Sequence, residues 1–141
     1  MKLDKTILQE GRAPQGYALP EYDREAMVRR TMEAPTWLHF GAGNIFRAFP
    51  AVLCQRLLNR GEWDTGIICC EGYDGQVVTD SLRPYDNLAV AVSLLADGSM
   101  EKEIVGSLAE SLTLPEDTGR VQEIFQKPSL QMVSFTITEK G

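Results

Sequence analysis

The sequence predicts an α/β fold built on a doubly wound, largely parallel sheet. Short apolar runs alternate along the chain with stretches whose apolar residues recur at helical spacing. The first long apolar run breaks into Gly-Ala-Gly directly before such a helical stretch. A glycine-rich turn between a strand and a helix is typical of the mononucleotide-binding half of a doubly wound fold.

The first predicted helix lies in "LPEYDREAMVRRTMEAP" (19–35), where Asp23 serves as N-cap and Pro35 ends the helix. Its inner face is expected to carry Ala26, Met27 and Met32. The run "TWLHFG" (36–41) is short, apolar and bounded by Pro35 and a glycine, which favours a buried strand.

A second helix is predicted over residues 44–59, and Gly61 ends it. Pro50 has no N–H to donate, so the regular helix is expected to start or kink near this residue. The next strand, "TGIICCEG" (65–72), is continuously apolar, as in a parallel strand covered on both faces.

The second half of the chain is less regular. The polar stretch "YDGQVVTDSLRPYDN" (73–87) is expected to run irregularly over the surface, and Asp97-Gly98 predicts a β-hairpin insertion between two strand-like runs. The stretch "PEDTGRVQEIFQ" (115–126) predicts a helix that begins with Pro115 and two acids, and "SLQMVSFTITEKG" (129–141) a further strand.

These elements make most of one mononucleotide-binding half and part of a second, so the predicted sheet is incomplete by about two strands. We therefore expect the chain to be the front of a longer protein. Residues 1–19 are predicted to form an N-terminal arm on the surface, and residues 20–141 the partial domain itself.

Composition excludes several classes of function. The net charge of the 141 residues is −6 and the basic residues are scattered, which argues against nucleic-acid binding. Apolar runs are too short to cross a bilayer, and the polar N-terminus has no signal-peptide pattern. Three cysteines (Cys54, Cys69 and Cys70) form neither a disulfide framework nor a metal-ligand spacing. We expect reduced thiols, a cytoplasmic protein and no metal.

The glycine turn is the candidate ligand site. Gly41 can make the tight turn, and Gly43 lets the backbone approach a pyrophosphate, with Ala42 between them. The helix start behind them offers free N–H groups to an anion. Phe46 stands where the general fingerprint has its third glycine, so a turn without any ligand stays open as an alternative. If the Phe46 side chain filled the turn, no anion could bind there and the alternative of a turn without a ligand would be correct.

Two charged neighbours favour a dinucleotide. Arg47 lies one turn into the helix, where its guanidinium can reach phosphates, although a solvated helix residue is the simpler interpretation. Glu71 closes the second strand, where an acid accepts hydrogen bonds from the adenosine ribose, and Asp74 is the rival for that role. Either acid could instead be an exposed loop charge. A carboxylate there repels a 2′-phosphate, which favours NAD over NADP.

Three stretches resemble one family: "PEYDR" (20–24), "HFGAGNIFRAF" (39–49) and "TITEKG" (136–141). The chain resembles the N-terminal part of the polyol-specific long-chain dehydrogenases/reductases, which include mannitol dehydrogenase and the fructuronate and tagaturonate reductases. The resemblance implies a Rossmann-type domain that binds NAD(H). It also implies a helical substrate domain, absent from this chain, and metal-free hydride transfer between a sugar alcohol or aldonate and its ketose or keturonate.

The resemblance also assigns residues. Gly41, Ala42, Gly43, Asn44, Ile45 and Arg47 match the segment around the pyrophosphate, Glu71 matches loosely the acid of the ribose site, and Thr138, Glu139 and Lys140 match a segment that borders the nicotinamide. The family's proton-transfer lysine belongs to a Lys-x-x-x-x-Asn-x-x-His motif that does not occur here. No residue of this chain is therefore predicted to be catalytic.

Other interpretations stay open on sequence grounds. The chain could be a nucleotide-binding or interaction module without catalysis, or an S-adenosylmethionine-dependent methyltransferase, which also pairs a glycine-rich turn with an acid. The single histidine, His39, is expected to be a hydrogen-bonded core residue rather than an acid or base. The expected partners are a small polyol or keto-sugar acid, bound through the missing domain, and another chain at the exposed edge of the sheet.

Overall fold

A computed structural model describes residues 2–9 and 12–137. Its five α-helices in that part of the chain are α1 (Arg24–Glu33), α2 (Asn44–Ala48), α3 (Pro50–Asn59), α4 (Gln76–Ser81) and α5 (Thr118–Gln126). The strands are β1 (Tyr17–Ala18), β2 (Trp37–Phe40), β3 (Ile67–Glu71), β4 (Ala89–Leu94), β5 (Met100–Val105), β6 (Leu108–Thr113) and β7 (Met132–Phe135). Lys5–Leu8 and Arg83–Tyr85 form short 3-10 helices.

The central sheet has four strands in the order β6-β3-β2-β7, and every neighbouring pair is parallel. Strand β2, which comes first along the chain among these four, is an inner strand of the sheet, and the order reverses on its two sides. This arrangement is that of a Rossmann-type α/β fold, whose ligands bind beyond the carboxyl ends of the strands at the point of reversal. In β2 and β7, His39 is opposite Ser134 and Phe40 is opposite Phe135.

A separate sheet has three strands in the order β1-β5-β4. The hairpin of β4 and β5 is antiparallel, as predicted, and the carboxylate of Asp97 accepts hydrogen bonds from the backbone and hydroxyl of Ser99 in its turn. The N-terminal arm packs on this sheet, because Ile7 is buried with Leu88 and Ile104 and β1 pairs with β5.

The central sheet buries apolar residues on both faces. Ile67 and Cys69 of β3 belong to the core under α1 to α4, whereas Ile68 and Cys70 belong to the core under α5. The vicinal cysteines therefore point to opposite faces, as a strand requires. All three cysteines are buried and unpaired, and burial raises the pKa of Cys54 to about 12 and that of Cys70 to about 11.

The first half of the chain follows the sequence prediction closely. Asp23 caps α1 by accepting a hydrogen bond from the Ala26 N–H, and α3 begins at Pro50, which separates it from α2. The expected inner face of α1 was wrong at Met32, which is 44% exposed. Thr31 is buried there instead, and its hydroxyl accepts a hydrogen bond from the Gly66 N–H.

The second half departs further from the prediction. The stretch 73–87 is not an irregular surface segment, because it contains α4, and Val78 and Leu82 are fully buried. The sequence 108–113 was not recognised as the separate strand β6, which pairs with β3. Helix α5 starts at Thr118, so Pro115 and the two acids precede it. Asp117 instead accepts hydrogen bonds from the Thr113 N–H and from Arg83.

Gln55 connects α3 to the second sheet through a fully paired buried amide. Its side-chain oxygen accepts hydrogen bonds from the Gly106 N–H (2.7 Å) and the Tyr22 hydroxyl, and its side-chain N–H groups donate to the Ile104 carbonyl and to Glu103. The residue is 1% exposed. Removing the partner of a buried polar group destabilises the folded protein, because the group lost its hydrogen bonds to water on folding and no longer has a bond that replaces them.

We predict that Gln55→Leu lowers the free energy of unfolding by about 2–4 kcal/mol, since it leaves the Gly106 N–H and the Ile104 carbonyl unpaired. Urea unfolding followed by circular dichroism measures the change. Gln122→Leu, on the exposed side of α5, is the matched control and should change stability by less than about 0.5 kcal/mol. Equal losses in the two variants would contradict this role of Gln55.

Candidate cofactor-binding site

Gly41 makes the tight turn directly after β2. Its φ of +120° lies in the region that side chains disfavour, and its N–H donates to the Cys70 carbonyl (2.9 Å). A Cβ at this position would overlap the Thr136 Oγ1 atom. Glycine is therefore required here by backbone conformation and by the close approach of the chain that follows β7.

Gly43 has the opposite surroundings. No atom lies within 4 Å of the position that its Cβ would occupy, so the backbone here borders open space. It is the N-cap of α2 and makes no side-chain capping bond, which leaves the first N–H groups of α2 without a side-chain partner from this position. An anion can approach the backbone at this residue.

Phe46 does not plug the turn. Its side chain is fully buried and stacks on the imidazole of His39, with the ring centroids 4.6 Å apart and the planes 19° from parallel. In the general fingerprint the third glycine allows close packing of helix and strand. Here an aromatic pair fills that space, and the turn itself stays accessible.

Glu71 lies at the turn, as expected for an acid at the end of the second strand. One carboxylate oxygen accepts a hydrogen bond from the Ala42 N–H (3.0 Å), and the other accepts from the Tyr73 N–H (3.0 Å) and the Asp74 N–H (3.4 Å). The Asp74 carboxylate is exposed and instead accepts from the Gln76 N–H at the start of α4. The structure brings Glu71, rather than Asp74, against the glycine turn.

Arg47 folds back along α2. Its guanidinium donates to the Asn44 side-chain oxygen (2.6 Å) and, more weakly, to the Gly43 carbonyl (3.4 Å). Asn44 and Arg47 line one end of a groove of about 720 Å³ that runs between α2, α3 and β4. Ile45 points away from the core and is 71% exposed. The charge of Arg47 is therefore available close to Gly43 without a carboxylate partner among the described residues.

The predicted nicotinamide neighbours Thr138, Glu139 and Lys140 lie outside the described residues. Just before them, Thr136 follows β7, and its N–H donates to the Phe40 carbonyl (3.0 Å). The carboxyl ends of β2 and β7 therefore meet at the glycine turn.

Known proteins resemble most or all of this chain. A D-mannonate oxidoreductase from Thermotoga maritima is 42% identical over the entire chain, and a mannitol 2-dehydrogenase from Aspergillus clavatus is 30% identical over 87% of it. A solved structure of Pseudomonas fluorescens mannitol 2-dehydrogenase, in a ternary complex with NAD and D-mannitol, superposes on the whole chain with a TM-score of 0.84 and 26% identity. No family model matches the chain.

This chain is a homologue of the N-terminal part of polyol and aldonate oxidoreductases. It spans 27% of the Thermotoga maritima relative, 24% of the Aspergillus clavatus relative and 27% of the Pseudomonas fluorescens structure. The shared part contains the central sheet and the glycine turn, so the Rossmann-type fold expected from the resemblance is confirmed.

His39 of this oxidoreductase homologue is a hydrogen-bonded core residue, as predicted. It is 1% exposed, and its ring nitrogens contact two hydroxyls, Ser134 Oγ at Nδ1 (2.7 Å) and Thr136 Oγ1 at Nε2 (3.2 Å). Burial lowers the pKa of His39 from 6.5 to about 4, so the ring is neutral at pH 7.

Ser134 and Thr136 were missed as site residues from sequence. A weak signal was present, because the two hydroxyl residues lie two positions apart in the stretch predicted as the last strand and would therefore point to the same face. The pairing of β2 with β7 was not predicted, and without it the residues could not be placed together.

We predict that Gly41→Ala lowers the free energy of unfolding by about 2–4 kcal/mol, because it combines a disfavoured φ with overlap on Thr136. Gly43→Ala is the matched control and should lose no more than about 1 kcal/mol, the cost of alanine at an N-cap. Thermal and urea unfolding of both variants measure the difference. A Gly41→Ala protein as stable as the Gly43→Ala protein would contradict the geometry of the turn.

His39 predicts a pH dependence of stability. Its pKa is lower in the folded than in the unfolded chain, so the unfolded chain binds the proton first as the pH falls. The free energy of unfolding should decrease between pH 6.5 and about 4, by up to about 1.4 kcal/mol per pH unit from this residue. His39→Gln, which does not titrate, should flatten this decrease in urea-unfolding experiments. An unchanged slope would contradict a neutral buried imidazole.

Proposed function

We propose that the chain is the NAD(H)-binding portion of an oxidoreductase that interconverts a sugar alcohol or aldonate with its ketose or keturonate. The observation that carries this proposal is the open backbone at Gly43 beside a glycine turn that Glu71 faces. Such a turn, with an acid from the next strand, is the arrangement that binds a dinucleotide in Rossmann-type folds. The homology to mannonate and mannitol dehydrogenases supports the choice of substrate class.

The diphosphate would lie against Gly43, where no Cβ hinders the approach of a phosphate oxygen. The N–H groups that begin α2, together with Asn44 and Arg47, would donate hydrogen bonds to it. Arg47 then exchanges its bond to the Asn44 side chain for bonds to phosphate. Ala42 and Ile45 flank the anion through their backbone.

The adenosine ribose would lie at Glu71, whose carboxylate accepts hydrogen bonds from the ribose hydroxyls. Because Glu71 already accepts from the Ala42 N–H, its position is coupled to the turn that holds the diphosphate. Its negative charge disfavours the 2′-phosphate of NADP. We therefore propose NAD as the cofactor. The Asp74 carboxylate would be a second negative charge near the adenosine ribose.

Thr138, Glu139 and Lys140 are proposed as neighbours of the nicotinamide, because they follow β7 at the carboxyl end of the sheet. When bound, NAD accepts or supplies the hydride. We assign no catalytic residue to this chain. The substrate would be held by the part of the protein that the relatives have and this chain does not span, since hydride transfer needs the two carbons about 3–3.5 Å apart. The chain alone should be inactive.

Further proposals concern surroundings and partners. We place the protein in the cytoplasm, which agrees with three buried, unpaired thiols. The helices described here have at most ten residues, and none of them could cross a bilayer.

We also propose that the chain associates with another chain through β7. β7 is an outer strand of the described central sheet, and Met132 and Phe135 are exposed on it.

We predict that the 141-residue chain binds NADH and that Glu71→Gln weakens this binding about 5- to 50-fold, because an amide can accept at only one of its two atoms. Titration followed by NADH fluorescence measures the dissociation constants. Asp74→Asn is the matched control and should change affinity less than about threefold. No response of the folded wild-type chain to millimolar NADH would overturn the proposed function.

The same titration tests the diphosphate site. Gly43→Val should abolish NADH binding at concentrations that saturate the wild type, because its side chain fills the open space beside the backbone. Circular dichroism and thermal unfolding confirm that the variant is folded. Binding of NADH by a folded Gly43→Val protein would place the diphosphate elsewhere. Preference of the wild type for NADPH would overturn the assignment of NAD.

A further inference from the structure

A line of hydrogen-bonding side chains runs along one face of β2 and β7 and ends at the glycine turn. It comprises Trp37, Ser134, His39 and Thr136. Trp37 Nε1 donates to Ser134 Oγ (2.7 Å), which contacts His39 Nδ1 (2.7 Å), and His39 Nε2 contacts Thr136 Oγ1 (3.2 Å). Of these four residues His39 is buried and the other three are half-buried, so the line of hydrogen bonds runs from the core to the surface beside the turn.

The donor and acceptor roles along this line of hydrogen bonds follow from Trp37, where the line begins. An indole N–H can only donate, so Ser134 Oγ accepts there and retains its own proton. His39 Nδ1 is the acceptor within reach of that proton among the bonds of the described residues. The proton of the neutral imidazole then resides on Nε2, which donates to Thr136 Oγ1. The opposite arrangement leaves the proton of the half-buried Ser134 hydroxyl without an acceptor among the described residues, which costs free energy.

Thr136, at the end of the line, lies against the glycine turn. Thr136 Oγ1 is the atom nearest to the position that a Cβ on Gly41 would occupy, and Thr136 is half-buried. Because Thr136 Oγ1 already accepts from His39, its own O–H is directed away from the imidazole. The described hydrogen bonds include no acceptor for the Thr136 O–H, so this proton is free to be donated to a ligand.

We propose that Thr136 donates a hydrogen bond to the bound dinucleotide at the glycine turn, and that His39 is a positioning residue that fixes the Thr136 hydroxyl as a donor. Phe46 supports this role by stacking on the imidazole, which restricts its rotation. The inference rests on the proposed function, since the ligand it names is NAD(H). It adds two residues that act from the strand pair rather than from the glycine turn itself.

The tautomer of His39 is the first test, and it needs no ligand. His39 is the only histidine, so the ring nitrogens of a ¹⁵N-labelled chain give one assignable pair of signals. We expect protonated Nε2 and unprotonated Nδ1 at pH 7. Protonation at Nδ1 would overturn the inference whatever the outcome with NADH, because Thr136 would then donate to the imidazole instead.

Affinity is the second test. Thr136→Val should weaken NADH binding about 3- to 10-fold, the effect of one neutral hydrogen bond, and Thr136→Ser should restore it. Thr36→Val is the matched control, because it removes the buried hydroxyl bond to Thr65 (2.6 Å) at the other end of β2. That control should lower stability and leave NADH affinity unchanged.

The NMR signals connect the two tests. NADH should shift the His39 ring resonances in the wild type and in Thr136→Ser, but not in Thr136→Val. A wild type that binds NADH while Thr136→Val binds equally well would overturn this inference and leave the proposed function intact. A folded wild type that does not bind NADH would overturn both. If Thr136→Val fails to fold, the response of the wild-type His39 signals to NADH decides.

Discussion

The approach of Thr136 to Gly41 is the constraint on which the site depends. Parallel pairing of β2 with β7 places the chain after β7 so close to the end of β2 that a side chain on Gly41 does not fit. The backbone must turn there with a φ that glycine adopts readily. That turn leads the chain to Gly43 and into α2 at the carboxyl edge of the sheet, where parallel strands leave room for a ligand.

Two apolar cores hold this edge in place. The central sheet lies between two layers of helices, and β3 is buried on both faces. Helices α1 to α4 pack on one face and α5 packs on the other. Glu71 is the last residue of β3, and its carboxylate accepts hydrogen bonds from the Ala42 N–H and from the loop that follows β3. The site is thus built on the strands, and a short helix supplies only its anion-facing side.

The sequence predicted the first strand-helix-strand unit well, because each of its signals is local. Asp23 caps a helix, Pro50 begins one, and the run around Cys69 and Cys70 is too apolar for a surface strand. The position of Glu71 near the turn could also be predicted, because this residue directly ends the apolar run that forms the second strand of the unit. The homology to oxidoreductases agrees with the resemblance drawn from the same segments.

Non-local features were harder to predict. Strand β6 was missed because its serine and glutamate break the apolar pattern, while its pairing with β3 buries most of it. Helix α4 was missed because it is short and mostly polar; Val77 and Val78 pack on the core, as does Leu82 directly after the helix. The hydroxyls of Ser134 and Thr136 acquire meaning only when β7 pairs with β2, and that pairing joins residues nearly a hundred positions apart.

The stacked rings of His39 and Phe46 bear on how such proteins are recognised from sequence. Helix-to-sheet spacing is set here by two flat rings, one from each element, and not by the absence of a side chain. A search pattern that demands three glycines will pass over every chain that uses this substitute. A pattern with two glycines, an aromatic residue three positions after the second, and a histidine two positions before the first would retrieve them.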